Sequence, residues 1–467
     1  MRTLVLKFGG TSVRYGYNKI INLISKLKND DRWDKIIIVI SALSQVTNML
    51  IDGIYKAKNH DSYSDIISNI FNAHMEILLS NEKKNAVQAY IKEYLQICKS
   101  VEVLKEVTPK IEAKIMSYGE IMSLNTLDDI FTINHIDHKL VFSTDFIITD
   151  STHLNALVNF KKTSEEIKKI IDCSDKIILT NGFLGKDDNN IITTLGRGGS
   201  DYTATLIASL VNAEEVHIYS DVDGILSGDP KKIKNAFLLN DIHANEASEL
   251  AFFGAKILHP RTIQPLIKSK INLRVLNTFS SENRGTLISH HNISNTDNKK
   301  ITAVTSINNM SLITVRGNGI LGRIGTASGV FNCVSQLNIN IPFITQASSE
   351  TSICFAIDKN DTDNVINAIN EKFKNEIECD YINSVIKIDN ISLITVVGSK
   401  MSQSPGIAGS IFTNLGNNQI NIIAISQGSS EISITLVVNM SDELKTLNVI
   451  HNLILDKDER NSSNSDK

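Results

Sequence analysis

The 467-residue chain has no stretch of about 18 consecutive apolar residues, the length a helix needs to cross a bilayer. Its N-terminus passes from Met1-Arg2 straight into a strand-like run with no small-residue cleavage site. A membrane partner and a secretory leader are therefore not expected, and the reading is cytoplasmic. Basic runs are missing as well. Lys and Arg number 47 against 51 Asp and Glu, a formal net charge of −4, which speaks against nucleic acid as a partner. The five cysteines, Cys98, Cys173, Cys333, Cys354 and Cys379, are odd in number, scattered and free of any C-x-x-C pair. Neither a disulfide framework nor a zinc site is expected from them. The 11 histidines form no H-E-x-x-H or similar pattern, and no residue is assigned to a resident metal. What remains is 42% hydrophobic and 21% charged, an ordinary globular composition. The length suits roughly two to four domains of about 100–200 residues each.

The most informative stretch is the first. Thr3 to Phe8 is an apolar, strand-like run that carries Lys7 and ends on Gly9-Gly10, with Thr11 and Ser12 opening a helical pattern. A strand that turns through two glycines into a helix N-terminus gathers unpaired backbone N–H groups, the positive end of a helix dipole and a lysine at one point. That suits a phosphate. By itself the same stretch is also an ordinary tight turn, because it lacks the G-x-x-x-x-G-K-[ST] pattern.

Further strand-like runs follow at Lys35–Ile40, Lys139–Phe142, Lys176–Thr180, Glu215–Tyr219 and Ile271–Leu276, separated by helical stretches. Apolar on most positions, they read as strands of a mainly parallel sheet buried on both faces by helices, an α/β architecture. From about Ser64 to Phe131 the apolar spacing is helical throughout, as in a helical insertion. Ser41–Thr47, Asn181–Phe183 and Ser220–Gly224 all follow strands, so they collect in one cleft beyond the carboxyl ends of the sheet. Leu195–Ala204 (LGRGGSDYTA) adds charge. Ser200 or Asp201 there serves equally as a helix N-cap, but Arg197 between flexible glycines has the planar fork that grips a carboxylate or phosphate. Glu120 in SYGE reads equally as a solvated surface acid, and Lys256 in FFGAKILHP as a lysine at a helix end.

Taken together, KFGGTS at 7–12, Ser41 and Thr47, SYGE at 117–120, NGF at 181–183, LGRGGSDYTA at 195–204, SDVDGI at 220–225, DP at 229–230 and FGAKILHPRT at 253–262 resemble the aspartokinases of the amino-acid kinase family. The resemblance runs over nearly the whole chain. It implies transfer of the ATP γ-phosphoryl group to the side chain of L-aspartate, the first step toward lysine, threonine and methionine, with Mg²⁺ bridging the ATP phosphates. It assigns Lys7 and Asp201 to catalysis, with Asp201 orienting Lys7 or the substrate. Ser41, Thr47, Glu120, Phe183, Arg197 and Ser200 would hold aspartate, Arg197 on the α-carboxylate and Glu120 on the ammonium. Lys7, Gly9, Gly10, Ser220, Asp221, Lys231 and Lys256 would hold the nucleotide. Three positions depart from the family pattern: Leu226 stands for a tyrosine, Lys231 for an arginine and Ser220 for a threonine, all on the ATP side. The chemistry agrees with the resemblance. A carboxylate with a pKa of about 4 is already ionised at neutral pH, so the barrier is repulsion between two anions rather than activation of a nucleophile.

The second half contains a duplication. INNMSLITVRG at 307–317 returns as IDNISLITVVG at 388–398, and ITQASSETSI at 344–353 as ISQGSSEISI at 425–434. Gly325, Ala327 and Phe331 recur as Gly406, Ala408 and Phe412 at the same spacing. Each copy reads strand, helix, strand, strand, helix, the ferredoxin-like order. Such pairs resemble ACT regulatory units. That resemblance implies an amino-acid effector, threonine favoured, with Gln346 and Gln427 as contacts, and a homodimer or higher homo-oligomer formed through the units. The expected organisation is a kinase domain over 1–280 with a helical insertion at about 60–131, a linker at 281–300, ACT units at 301–384 and 385–455, and a polar tail at 456–467. The wording of the repeats is most like bifunctional aspartokinase–homoserine dehydrogenases, here expected without the dehydrogenase. A kinase of another acidic amino acid, and a catalytically weak amino-acid-binding regulator, are the competing readings.

Overall fold

The computed structural model describes residues 1–254, 258–280, 283–290, 300–317, 325–346 and 352–462, with side chains to 455. They divide into two units. One comprises Met1–Ile225, Leu238–Ala244 and Ile257–Ile293; the other comprises Leu226–Phe237, Asn245–Lys256 and Ser294–Lys467. Leu226–Phe237 and the helix after Ala244 precede the expected linker in sequence yet pack with the second unit. Ile233 explains the first case: it is buried in one core with Val304, Ile411 and Ile450.

The first unit runs β1 (Thr3–Phe8), α1 (Gly10–Lys28), β2 (Lys35–Ile40), α2 (Val46–Lys58), α3 (Ser64–Met75), α4 (Asn81–Leu104), α5 (Pro109–Ile133), β3 (Lys139–Val141), α6 (Phe160–Ile171), β4 (Ile177–Asn181), β5 (Leu184–Lys186), β6 (Ile192–Thr194), α7 (Gly199–Val211), β7 (Glu215–Ser220) and β8 (Asp241–His243). After α8 (Ala244–Phe252) it continues through α9 (Pro260–Ser269), β9 (Asn272–Asn277) and β10 (Thr286–Ser289). Its large sheet has the order β3-β4-β2-β1-β7-β9-β10-β8 and is parallel except where β10 meets β9. All six strands expected from the apolar runs are present within a residue or two. Every residue of β1 and β2 is buried, as strands covered on both faces require. The chain leaves β1 for β2 on one side and reaches β7 on the other, which opens the crevice where ligands enter such sheets.

No strand interrupts α2 to α5, in keeping with the helical spacing. Helix α5 starts on Pro109, with the Thr108 side chain accepting from Ile111 N–H at 3.3 Å. From Ser117 to Phe131 every residue but Ile121 is buried. A helix this enclosed must satisfy its polar side chains internally. Asp129 accepts the N–H groups of Leu79 and Ser80 at 2.8 and 3.0 Å, and Asp128 accepts from His138 at 2.8 Å and pairs with Lys83.

The second unit holds β11 (Ala303–Arg316), α10 (Thr326–Gln336), β12 (Phe343–Gln346), β13 (Ser352–Asp358), α11 (Thr362–Lys372), α12 (Lys374–Glu378), β14 (Ser384–Val397), α13 (Ile407–Asn417), β15 (Ala424–Gln427), β16 (Ser433–Asn439) and α14 (Glu443–Ser462). This is the expected order twice over, in one antiparallel sheet β12-β13-β11-β14-β16-β15. The long strands β11 and β14 pair from Ala303↔Val397 to Arg316↔Ser384, so each position of one copy meets the mirrored position of the other. β13 pairs only with the Met310–Arg316 half of β11, and β16 only with the Ile391–Val397 half of β14. Each copy therefore completes a four-stranded sheet with half of the other copy's first strand. The changeover is an irregularity in register flanked by Asn309 and Asn390, equivalent residues with φ of 58° and 56°. Asparagine tolerates this left-handed conformation better than other side chains. The sheet's two edges also meet: the Ser426 hydroxyl on β15 donates to the Ile344 carbonyl on β12 at 3.0 Å.

Asn390 is exposed, and its side-chain oxygen accepts from Lys359 Nζ at 2.9 Å; Asn390→Val and Asn390→Gly both remove that bond, so the difference between them isolates the backbone requirement. The β-branched residue should destabilise the second unit by about 1–2 kcal/mol more than glycine does, read as a lower denaturant midpoint.

Candidate active site

Lys7 lies on the central strand β1, where alternation turns its side chain out of the sheet; it is 8% exposed and paired with Asp201 at 2.5 Å. Asp201 stands in the first turn of α7, which opens after two glycines with positive φ, Gly196 at 79° and Gly198 at 67°. Side chains rarely adopt that conformation, which explains the glycines flanking Arg197. Arg197 itself is exposed. Gly182 is required for a different reason: a Cβ there would lie 2.6 Å from Ser200 Cα, so it lets the end of β4 touch the start of α7. The next residue, Phe183, holds a φ of 69°, with its N–H donated to Thr203 at 3.0 Å. Strain of this kind at a non-glycine residue is common where a side chain is aimed at a ligand.

The two opening glycines divide their work differently from the expectation. Gly9 donates its N–H to the Tyr219 carbonyl at 3.0 Å, so that amide is not open to a phosphate. The correction follows from the parallel pairing of β1 with β7, which continues one residue past Phe8. The N–H groups available to a ligand begin at Gly10, in the first turn of α1. Gly10 is also the sterically demanding one: a Cβ would sit 2.2 Å from the Ala42 carbonyl, whereas at Gly9 the nearest atoms are 3.6 Å away.

Glu120 is no surface acid. It is 3% exposed on α5, and burial pushes its carboxyl up to about 8, partly offset by the Ala42 N–H, the Lys7 ammonium and the hydroxyls of Ser200 and Ser41. Its Oε2 has no hydrogen-bond partner. The Ser200 hydroxyl donates to that of Ser41 at 3.2 Å. Gly119 lets α5 approach Thr47, whose Oγ1 would be 3.2 Å from a Cβ.

A cavity of about 460 Å³ brings these groups together. Lys7 and Asp201 line it, as do Ser41, Thr47, Glu120, Phe183, Arg197 and Ser200, every residue expected on the aspartate side. Ser220 and Asp221 are not among its lining residues; Ser220 ends β7, its Oγ accepting the Val222 N–H at 3.3 Å, and Asp221 is exposed. Lys231 is exposed and belongs to the second unit, and Lys256 lies outside the described residues. Gln346 and Gln427 are exposed at the ends of β12 and β15. Asn155 and Thr194 also line the cavity and had no motif to mark them. Ser123 had a weak one, a hydroxyl three positions after Glu120 and so on the same helix face.

The model of the amino acid kinase family matches residues 2–277, and that of the ACT domain matches 313–373 and 394–453. The chain belongs to the amino acid kinase family. It is 32% identical to bifunctional aspartokinase/homoserine dehydrogenase 2 of Arabidopsis thaliana, over 96% of this chain and 50% of that one. To the Saccharomyces cerevisiae aspartokinase it is 28% identical, over 99% and 94%. The chain thus spans about half the length of the bifunctional relatives it matches. In fold it is similar to Escherichia coli aspartokinase III in complex with aspartate and ADP, with a TM-score of 0.82, 24% identity and coverage of 97% and 100%. It is also similar to the Clostridium acetobutylicum aspartate kinase, with a TM-score of 0.75, 24% identity and coverage of 97% and 100%. No helix among the described residues is long and apolar enough to cross a membrane.

Gly10→Ala should lower kcat/KM by about 10²-fold, by driving the Ala42–Ser44 segment off its position. Gly9→Ala should cost at least about tenfold less. Steady-state kinetics on the folded variants checks both.

Proposed function

We propose that this chain is an aspartate kinase that transfers the γ-phosphoryl group of ATP to the side-chain carboxylate of L-aspartate, giving 4-phospho-L-aspartate. The observation that carries the reading is one cavity in which Arg197, a buried Glu120 and the Lys7–Asp201 pair converge. An exposed guanidinium suits the α-carboxylate, and a buried carboxylate with a spare oxygen suits the ammonium. The substrate's side chain is then left for Lys7. The reacting carboxylate attacks phosphorus as the anion, so no residue needs to take its proton. Lys7 and the first N–H groups of α1 offset the charge that gathers on the transferred phosphoryl oxygens. Asp201 holds the Lys7 ammonium in place and acts as an orienting group.

Mg²⁺ belongs with the nucleotide: on a polyphosphate it takes one or two protein carboxylates at most. Among the described residues no group of three acidic, histidine or cysteine side chains forms a metal cage. Ser220, Asp221, Lys231 and Lys256 are assigned to ATP by the family resemblance. The paired ACT units support an amino-acid effector, threonine favoured, acting through Gln346 and Gln427, and assembly of the chain with further copies of itself.

Hydroxamate formation from ATP and L-aspartate, with glutamate as control, tests the acceptor. Lys7→Ala should reduce kcat by about 10²–10³-fold, and Arg197→Ala should act mainly on the KM for aspartate. Equal rates with glutamate would overturn the choice of substrate. Gln346→Ala and Gln427→Ala should each raise the threonine concentration needed for half-inhibition, with uninhibited turnover unchanged. Full activity at saturating threonine in the wild type would remove the effector.

A further inference from the structure

Ser123 is fully buried on α5 and donates its hydroxyl to the Ser41 carbonyl at 2.7 Å. Alanine would be the better helix former at an enclosed interior position, so the helix itself does not call for a serine. The acceptor is informative. The carbonyl of Ser41 and the N–H of Ala42 are two ends of one planar peptide unit, and that N–H is among the groups that stabilise the Glu120 carboxylate. One helix therefore acts on a single peptide from both ends: Ser123 donates to its oxygen, and its N–H is one of the groups that lower the Glu120 carboxyl. The Ser41 N–H, in turn, donates to the Phe8 carbonyl at 3.2 Å, at the end of β1. The same residue's hydroxyl faces Glu120 and receives the Ser200 hydroxyl.

We propose that Ser123 is a positioning residue for recognition of the substrate's amine: by pinning the Ser41 carbonyl it aims the Ala42 N–H and the Ser41 hydroxyl at the carboxylate that receives the ammonium. The inference rests on the reading of Glu120 as that ammonium's partner. Burial favours the neutral acid, which attracts no ammonium, and these donors offset part of that effect, drawing the pH at which the carboxylate forms back toward neutrality. Charged groups around the carboxylate are Lys7 from β1, Asp201 from α7, Arg197 ahead of α7 and Glu112 on α5, all lining the same cavity. Lys7 and Asp201 are tied to each other, which leaves the pinned peptide and the two serines as the adjustable part.

The test is the pH dependence of kcat/KM for aspartate between about pH 6 and 9 in the wild type, Ser123→Ala, Glu120→Gln and the double variant, with ATP KM and Tm alongside. In the wild type kcat/KM should rise with pH as Glu120 loses its proton. Ser123→Ala should move that rise upward by about half to one pH unit and increase the aspartate KM at neutral pH about three- to tenfold, with the ATP KM unchanged. In Glu120→Gln the rise should vanish, and adding Ser123→Ala should cost less than about twofold. An unshifted rise in a variant of lowered Tm, or the same loss in both backgrounds, would overturn the inference and reduce Ser123 to a packing residue. A wild type that neither binds nor phosphorylates aspartate overturns the acceptor assignment and the inference together. Wild-type turnover with an unshifted rise overturns the inference alone.

Discussion

The burial of one carboxylate organises the first unit. Glu120 sits inside a helix enclosed on nearly every side, where its charge is costly unless donors and a cation stand against it. Those partners come from elements far apart in sequence: Lys7 from β1, Ser41 and Ala42 from the end of β2, Ser200 from the start of α7. Each must come close to the carboxyl, and that demand sets the local chemistry. Gly10 lets α1 touch the Ala42 carbonyl, Gly119 lets α5 approach Thr47, and Gly182 lets β4 meet α7. The backbone strain at Phe183 and the positive φ of Gly196 and Gly198 gather around the same cavity.

Charge in that cavity is of both signs, as the proposed substrate, a zwitterion carrying an additional anion, would require. A fixed ammonium, Lys7, is neutralised in part by Asp201, so the resting site does not hold an uncompensated buried cation. Arg197 remains exposed between glycines, able to adjust to a carboxylate as it enters. The division is physical: Lys7 and Glu120 are enclosed, whereas Arg197 is exposed between two glycines.

The second unit solves a different problem. A lone strand–helix–strand–strand–helix copy exposes the free edge of its first strand, and an unpaired edge invites association. Here β11 and β14 cover each other along their full length and exchange halves at Asn309 and Asn390. The edge strands β12 and β15 meet in turn, through Ser426 and Ile344, which brings equivalent strands of the two copies side by side.

Much of this was legible in the residues. Six buried strands were readable because a parallel sheet covered on both faces needs continuous apolar runs. The duplication was readable because a repeated fold repeats its glycines and turns at constant spacing; the cavity residues were readable through their resemblance to aspartokinase motifs, since each alone also reads as a turn, a helix cap or a surface acid. What the order of residues could not show was distance. Whether Glu120 was solvated or buried depended on α2, α4 and the sheet closing around α5. The Gly9 amide was committed by Tyr219, more than two hundred positions away, and Leu226–Phe237 joined the second unit because Ile233 is buried there. The sequence by itself determined the elements and the duplication, since these follow from local periodicity and residue type, and its motifs pointed to the kind of chemistry through the family they resemble. Only the tertiary structure decided which carboxylate is buried, which amide is open and which peptide is pinned, because those depend on what lies across the fold.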